Sequence, residues 1–262
     1  MVGRPQGTSN ELWEEIDSTN NRALLIAQEG APEGVIILAN SQTAGRGRLG
    51  RSWLSPAGAG LYMSVLLRPE SLSASLPLIT IASGLAVAMA VEIVSGVKLQ
   101  LKWVNDLVFQ SRKIGGILAE LQSLSAESSG SGFKQALVVG IGVNISSKNV
   151  RLPQELVDKV GWLEDLSHHP LDKNVLVSQI AYELEHVLKL LWTGKMKTIL
   201  DAWRGYSVTL GETVRATVGD NTIEGLAVDI TDSGSLLVKT RAGTQELYAG
   251  EVSIRRPDGS YC

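Results

Sequence analysis

The sequence predicts an α+β protein with two parts, residues 1–205 and residues 206–262. In the first part, strand-like and helix-like stretches are mixed, which is typical of a mixed sheet with helices packed on it. In the second part, short β-rich stretches recur between turn residues such as Gly211, Gly219 and Gly243. That spacing favours a small barrel of about five strands.

The helices are predicted from capping residues and apolar stripes. Residues 17–20 supply N-cap side chains for a helix over residues 22–29, and Gly30 ends it. An apolar stripe predicts a longer helix over residues 174–192, followed by a short one over residues 196–203.

One uncharged stretch, residues 71–91, is near the length of about 20 residues that spans a bilayer. It contains Pro77, Gly84, serines and many alanines, and it lacks basic flanks. A buried helix over residues 76–94, apolar on most sides, is therefore favoured over a membrane span.

Alternation of apolar and polar residues predicts a half-buried strand over residues 97–103, with Lys98, Gln100 and Lys102 on its polar face. The serine- and glycine-rich stretch 123–132 is predicted to be a mobile tip. Further strands are expected over residues 61–67, 106–109, 113–122, 136–139, 213–218, 222–230, 235–240 and 245–249, with residues 110–112 joining a hairpin.

Composition excludes some function classes. The formal net charge of −3 argues against a protein that coats nucleic acid, because that function needs a basic face. The one cysteine, Cys262, has no partner for an internal disulfide. Residues 1–15 are polar and lack the apolar segment of a signal peptide. These features predict a cytoplasmic protein.

The strongest functional signal is the run from Gly45 to Arg51, which carries three arginines and three glycines but no acidic residue. Glycine lets the backbone fold closely around a ligand, and arginine supplies forked donors for phosphate and carboxylate oxygens. The run predicts a loop that binds a small anion, flanked by the amide of Gln42 and the flat ring of Trp53.

The same glycines fit the dinucleotide-binding pattern G-x-G-x-x-G, which requires a helix directly after it. Residues 52–58, Ser-Trp-Leu-Ser-Pro-Ala-Gly, cannot open a helix cleanly. The Walker pattern fails as well, because no Gly-Lys-Ser/Thr follows at its spacing. A solvated turn with chance arginines remains the alternative for this segment taken alone.

Four further segments, residues 17–20, 102–106, 113–118 and 140–144, complete a set that together with the arginine run resembles the biotin protein ligases. The resemblance covers nearly the whole chain from about Leu12. Its most specific elements are the arginine run and the Lys-Trp-x-Asn-Asp motif of residues 102–106. Val104 departs from the family, which commonly has proline there, and this predicts a less rigid turn rather than altered chemistry.

The resemblance implies a class II synthetase-like catalytic domain followed by an SH3-like barrel. It also implies two half-reactions. Biotin and ATP, accompanied by Mg²⁺, form biotinyl-5′-AMP, and a lysine of a biotin carboxyl carrier domain then takes the biotin. No protein metal cage is expected, because the phosphates hold Mg²⁺. Relatives associate through exposed sheet edges, so monomer and homodimer both stay open.

Site residues carry over from the resemblance by position. The residues expected to bind biotin are Ser18, Thr19, Asn20, Gln42, Gly45, Arg46, Gly47, Arg48, Lys113, Gly115, Gly140 and Gly142. Those expected to bind ATP are Arg46, Arg48, Arg51, Trp53, Lys102, Asn105, Lys113 and Asn144. Arg48, Lys113 and Asp106 are the candidate catalytic residues, with Asp106 orienting or deprotonating the carrier lysine. For Asp106, a magnesium-binding or structural carboxylate is the alternative.

Other functions fit the residues less well. Lipoate ligases share the fold and the activation chemistry, but they lack the arginine loop in this form. A DNA-binding repressor is disfavoured, because a winged helix needs far more than the roughly ten residues that precede the first matching segment. The intact arginines and Lys113 argue against a catalytically dead carrier-binding protein.

Overall fold

A computed structural model describes residues 10–69, 75–124, 135–218, 221–249, 252–256 and 258. Most of the predicted tip over residues 123–132 and the terminal Cys262 lie outside these residues. The chain divides into two units, one formed by residues 1–72 and 116–150 and the other by residues 73–115 and 151–262.

The described residues form the following elements in chain order. The helices are α1 (Thr19–Gln28), α2 (Leu76–Ser95), α3 (Lys173–Trp192) and α4 (Met196–Tyr206). The strands are β1 (Glu11–Ile16), β2 (Ile36–Gln42), β3 (Gly60–Leu67), β4 (Gln100–Lys102), β5 (Asp106–Phe109), β6 (Arg112–Ser123), β7 (Gln135–Asn144), β8 (Thr213–Val218), β9 (Asn221–Ile230), β10 (Leu236–Thr240), β11 (Gly243–Leu247) and β12 (Val252–Arg255). The predicted helices and most of the predicted strands are thereby confirmed.

The first unit is a mixed sheet with one helix on it. Its strand order is β1-β2-β3-β7, followed by the part of β6 beyond Gly115. The β1–β2 pair is parallel, whereas β2–β3 and β3–β7 are antiparallel. Helix α1 packs on this sheet through Ala23, Ile26 and Ala27, which are buried against side chains such as Ile37. The N-terminus of the helix lies against Gln42 at the end of β2 and against Ser64 in the middle of β3, where the site is built.

The second unit contains the remaining helices and an antiparallel C-terminal sheet of order β11-β10-β9-β8-β12. Helix α2 is long and apolar enough to cross a membrane, but 78% of its most apolar window is buried inside the protein. It packs against α3, whose Leu176, Ile180 and Leu184 are buried. This burial supports the interpretation of α2 as a core helix.

The structure corrects two predictions and adds an edge strand. The strand predicted over residues 97–103 is regular only in β4, and Lys102 is 2% exposed instead of lying on a polar face. The hairpin turn consists of Gln110 and Ser111, which take positive φ values of 47° and 62°, so Arg112 already belongs to β6. Strand β1 was not predicted, because it is an edge strand with mostly exposed residues and no apolar face.

Candidate functional site

The arginine run forms a closed loop held by its own backbone. The Trp53 N–H donates to the Gly45 carbonyl at 2.8 Å, and the Gly47 N–H donates to the Arg51 carbonyl at 2.7 Å. The tip is a 3₁₀ turn over Arg48–Gly50. Residues 51–59 are all described and none of them is helical, which confirms that the dinucleotide-binding pattern is not the correct interpretation.

The N-terminus of α1 is joined through Gln42 to Ser55, which follows this loop in the chain. Ser18 caps the helix, and Thr19 donates from its backbone N and its Oγ1 to Gln42 Oε1, at 2.9 and 3.2 Å. The other end of the amide, Gln42 Nε2, donates to Ser55 Oγ at 2.8 Å. Both ends of the Gln42 amide are therefore engaged, which fixes its orientation relative to the helix.

A second chain of contacts leads from β3 to the loop. Ser64 Oγ donates to Asn20 Oδ1 at 2.6 Å, and Asn20 Nδ2 donates to Glu120 Oε2 at 2.8 Å. The other carboxylate oxygen, Glu120 Oε1, accepts from Arg46 Nη2 at 2.6 Å. Arg46 Nη1 donates to Asn21 Oδ1 at 2.8 Å. Since Ser64 and Asn20 are buried, this end of the network is shielded from water, whereas Arg46 is partly exposed.

Two glycines of β7 leave room for side chains of this network. A Cβ placed on Gly140 would overlap the amide of Asn20, and one on Gly142 would lie 2.6 Å from Cε2 of Trp53. In this structure the space beside both glycines is therefore taken by Asn20 and by the indole of Trp53. Gly45 is equally constrained, because its Cβ would collide with the Trp53 carbonyl.

In the second unit, the first three residues of the Lys-Trp-x-Asn-Asp motif are buried, and Trp103 is held from the C-terminal region. The backbone N–H of Trp103 donates to Thr209 Oγ1, and its indole Nε1 donates to the Gly234 carbonyl, both at 2.9 Å. Trp103 is 4% exposed and Thr209 is fully buried. Asn105 lies in the turn between β4 and β5. The buried Val104, where the family commonly has proline, follows a cis peptide bond.

The predicted catalytic lysine is paired with the predicted catalytic carboxylate. Lys113 Nζ lies 2.5 Å from Asp106 Oδ1, and both side chains are largely buried. The backbone of Lys113 is held as well, because its N–H donates to the Lys159 carbonyl at 2.7 Å and its carbonyl accepts from the Gly161 N–H at 2.9 Å. The ammonium and the carboxylate therefore form an ion pair whose backbone position is fixed within the second unit.

The structure places the predicted residues in two groups. The first unit holds Ser18, Thr19, Asn20, Gln42, Gly45, Arg46, Gly47, Arg48, Arg51, Trp53, Gly140, Gly142 and Asn144. The second unit holds Lys102, Asn105, Asp106, Lys113 and Gly115. Asn144 is the last residue of β7 and is buried, and Gly115 lies two positions after Lys113 in β6. Within the described residues, no group of three or more His, Cys, Asp or Glu side chains could hold a metal ion.

Ser64 and Glu120 were not predicted from the sequence to belong to the site. Each carries a signal that is visible afterwards. Ser64 interrupts the apolar run of a strand that is buried along its whole length. Glu120 is the one charged residue between Ile114 and Leu124. A polar side chain inside an apolar run needs a partner, and such partners point to a site.

Comparison with known proteins gives two family matches, similar curated relatives and similar solved structures. Residues 12–144 match the model of the biotin/lipoate A/B protein ligase family, and residues 209–255 match the biotin protein ligase C terminal domain. The chain is 33% identical to a biotin--[acetyl-CoA-carboxylase] ligase of Paracoccus denitrificans, over 90% of this chain and 96% of that protein. It is 32% identical to a bifunctional ligase/repressor BirA of Bacillus spizizenii, over 91% of this chain and 72% of that protein. A solved structure of biotin protein ligase from Aquifex aeolicus in complex with biotin and ATP superposes with a TM-score of 0.80, at 32% identity, and covers 95% of this chain and 100% of that one.

Proposed function

Because the chain belongs to the biotin/lipoate A/B protein ligase family, we propose that it is a biotin–[acetyl-CoA-carboxylase] ligase. It forms biotinyl-5′-AMP from biotin and ATP and transfers the biotin to a lysine of a biotin carboxyl carrier domain. The observation that carries the proposal is the continuous polar network joining the N-terminus of α1 to the arginine loop. Such a network matches a ligand with hydrogen-bonding groups at one end and a carboxylate at the other.

The first half-reaction brings two anions together. A carboxylate oxygen of biotin attacks the α-phosphorus of ATP, a new C–O–P linkage forms, and the bond to the β-phosphate breaks to release pyrophosphate. The nucleophile is already ionised, so this step needs no general base. Charge neutralisation and alignment are the main catalytic tasks, and cationic side chains supply both.

Residue roles follow from these tasks. Ser18, Thr19, Asn20 and Gln42 surround the uncharged end of biotin, and Gly140 and Gly142 keep backbone rather than side chains beside it. Arg46, Gly47, Arg48 and Lys113 contact the carboxylate and the α-phosphate, with Gly45 and Gly115 allowing close approach. Trp53 stacks on adenine, and Arg51, Lys102, Asn105 and Asn144 contact the rest of ATP. ATP enters with Mg²⁺, held mainly by its phosphates.

The second half-reaction needs a neutral amine. The carrier lysine, with an ordinary pKa of about 10.4, must lose a proton before its nitrogen attacks the acyl carbon of the adenylate. An amide bond then forms, and AMP leaves with the electron pair of the broken C–O bond. Asp106 orients or deprotonates this lysine. Its ion pair with Lys113 supports a second role in placing the ammonium for the first half-reaction.

The folds of the two domains, the cellular compartment and the oligomeric state are part of the same proposal. The catalytic domain, residues 1–205, is class II synthetase-like, and residues 206–262 form an SH3-like barrel. The antiparallel order of β8 to β12 supports the barrel, and the match to residues 209–255 supports the division. The protein works in the cytoplasm as a monomer or homodimer without a nucleic-acid partner, consistent with its net charge of −3.

Isotope exchange between pyrophosphate and ATP tests the proposal, because it reports the first half-reaction alone. We expect exchange that depends on biotin and not on lipoate, followed by transfer of labelled biotin to a carrier domain. Exchange supported by lipoate instead of biotin contradicts the substrate assignment, since lipoate ligases share the family. Binding of the purified chain to a biotin-operon operator contradicts the absence of a nucleic-acid partner.

A further inference from the structure

Glu120 joins two parts of the candidate site through the two oxygens of one carboxylate. Oε2 accepts from the buried amide of Asn20 at 2.8 Å, and Oε1 accepts from the guanidinium of Arg46 at 2.6 Å. Asn20 belongs to the N-terminus of α1, whereas Arg46 belongs to the root of the arginine loop. All three residues lie in the first unit.

We propose that Glu120 is a positioning residue that holds the root of the arginine loop in its binding geometry before any ligand arrives. This inference rests on the proposed function. Glu120 acts on biotin through Asn20 and Arg46 and does not itself contact the reacting atoms.

Charge and burial support a positioning role. Hydrogen bonds between a carboxylate and a guanidinium are stronger than neutral ones, so an anion on β6 is an effective anchor for a loop that carries no acidic residue. The side chain of Glu120 is 21% exposed, compared with 42% for Arg46, so the strand supplies the more buried partner and the loop the more exposed one. Arg46 makes a second bond to Asn21 Oδ1 at 2.8 Å, which ties the loop to α1 as well.

The role requires a carboxylate, because both Asn20 and Arg46 present hydrogen-bond donors to Glu120. Asn20 Oδ1 accepts from Ser64, which leaves Nδ2 to face Glu120. In Glu120→Gln, one of the two terminal atoms becomes a donor and must face either Asn20 Nδ2 or Arg46. One of the two contacts is therefore lost although the side chain keeps its size.

Limited trypsin digestion of the ligand-free protein tests the loop directly, because Arg48 and Arg51 are cleavage sites within it. We expect Glu120→Gln to raise the rate of cleavage after these residues about fivefold and the KM for biotin in pyrophosphate exchange about tenfold, with a smaller change in kcat. Arg46→Gln is expected to raise the rate of cleavage by a similar factor, and the double variant is expected to be cleaved no faster than either single one.

Glu11→Gln is the matched control. Glu11 accepts from Arg22 at 2.8 Å in an ion pair of similar exposure that also reaches α1, but it touches no residue of the network. It is expected to leave loop cleavage and the KM for biotin unchanged. Unchanged cleavage in Glu120→Gln, or additive effects in the double variant, overturns the positioning role. Because cleavage is measured without ligand, it remains decisive even if the wild-type protein shows no biotin-dependent exchange.

Discussion

Apart from the ion pair between Lys113 and Asp106, the polar side chains around the site are held by different means in the two units. In the first unit, side chains hold side chains: Gln42 engages Thr19 and Ser55, and Glu120 engages Asn20 and Arg46. In the second unit, the buried Trp103 bonds to a backbone carbonyl and to a buried hydroxyl.

This difference separates adaptable from fixed parts of the site. Contacts between polar side chains near the surface can be exchanged for ligand contacts at little cost, because water and ligand compete for the same groups. A buried donor bonded to a backbone carbonyl has no such substitute, and breaking the bond leaves an unsatisfied polar group. We therefore expect a preformed motif in the second unit, and in the first unit ligand-induced changes only outside the contacts of Glu120.

The largest expected effect is at Lys113, in the second unit. Lys113→Gln removes the ammonium proposed to neutralise the reacting anions, so adenylate formation should fall about 10²- to 10³-fold in a pyrophosphate-exchange assay. Lys159→Gln is the control, because Lys159 is exposed and only its carbonyl contacts Lys113. Adenylate formation that falls equally in both variants contradicts a special role for Lys113.

Asp106→Asn distinguishes the two roles proposed for its carboxylate. Because Asp106 pairs with Lys113 at 2.5 Å, we expect both half-reactions to slow when measured separately. Loss confined to transfer of biotin to the carrier means that the ion pair does not serve adenylate formation. Loss of equal size in both steps removes the special role in transfer.

A tryptophan-to-phenylalanine pair sharpens the comparison of buried and exposed donors. Trp103→Phe leaves the Gly234 carbonyl without its indole donor, and this should lower the free energy of unfolding by about 2 kcal/mol. Trp13→Phe deletes the same group at an exposed position, where the indole donates to Glu11 at 2.9 Å, and should cost less than about 0.5 kcal/mol. Equal shifts in urea denaturation contradict the distinction between the units.

Ser64→Ala tests the buried end of the network in the first unit. Loss of the hydroxyl leaves Asn20 Oδ1 without its donor, so the KM for biotin should rise about fivefold, with a loss of about 1 kcal/mol in stability. Ser83→Ala removes an equally buried hydroxyl that bonds only within α2, to the Ile79 carbonyl at 2.8 Å. If the KM for biotin rises equally in both variants, the effect comes from loss of a buried hydroxyl and not from loss of its contact in the network.

The sequence was most informative where structure is determined locally. The cap at Ser18 and the apolar stripe of α3 predicted their helices, because both signals lie within a few residues of the element they define. The arginine loop was identifiable from its composition alone.

Features that depend on distant partners were not predictable. Lys102 alternates with apolar residues as an exposed side chain does, but its strand β4 bonds to Ser207 and Val208, about a hundred positions away. Glu120 and Ser64 also meet their partners only in the folded sheet. Strand β1 has no apolar alternation because most of its residues face water. Periodicity reports burial and cannot report which polar groups meet.

The smallest expected effect concerns the ion pair between Glu11 and Arg22, which lies outside the network. The hydrogen bond from Arg22 lowers the pKa of Glu11 below its ordinary value. A carboxyl group with a lowered pKa in the folded state stabilises the protein above the unfolded-state pKa, and this contribution is lost as pH falls through the folded-state pKa. Because the pair is partly exposed, its contribution is about 0.5 kcal/mol.

Glu11→Gln should therefore be less stable than the wild type in urea at pH 7, and this difference should shrink below about pH 4.5. Glu15→Gln, at an exposed position of the same strand, serves as the control. If the stability difference between Glu11→Gln and the wild type is as large at pH 3 as at pH 7, the stabilisation does not come from the ion pair.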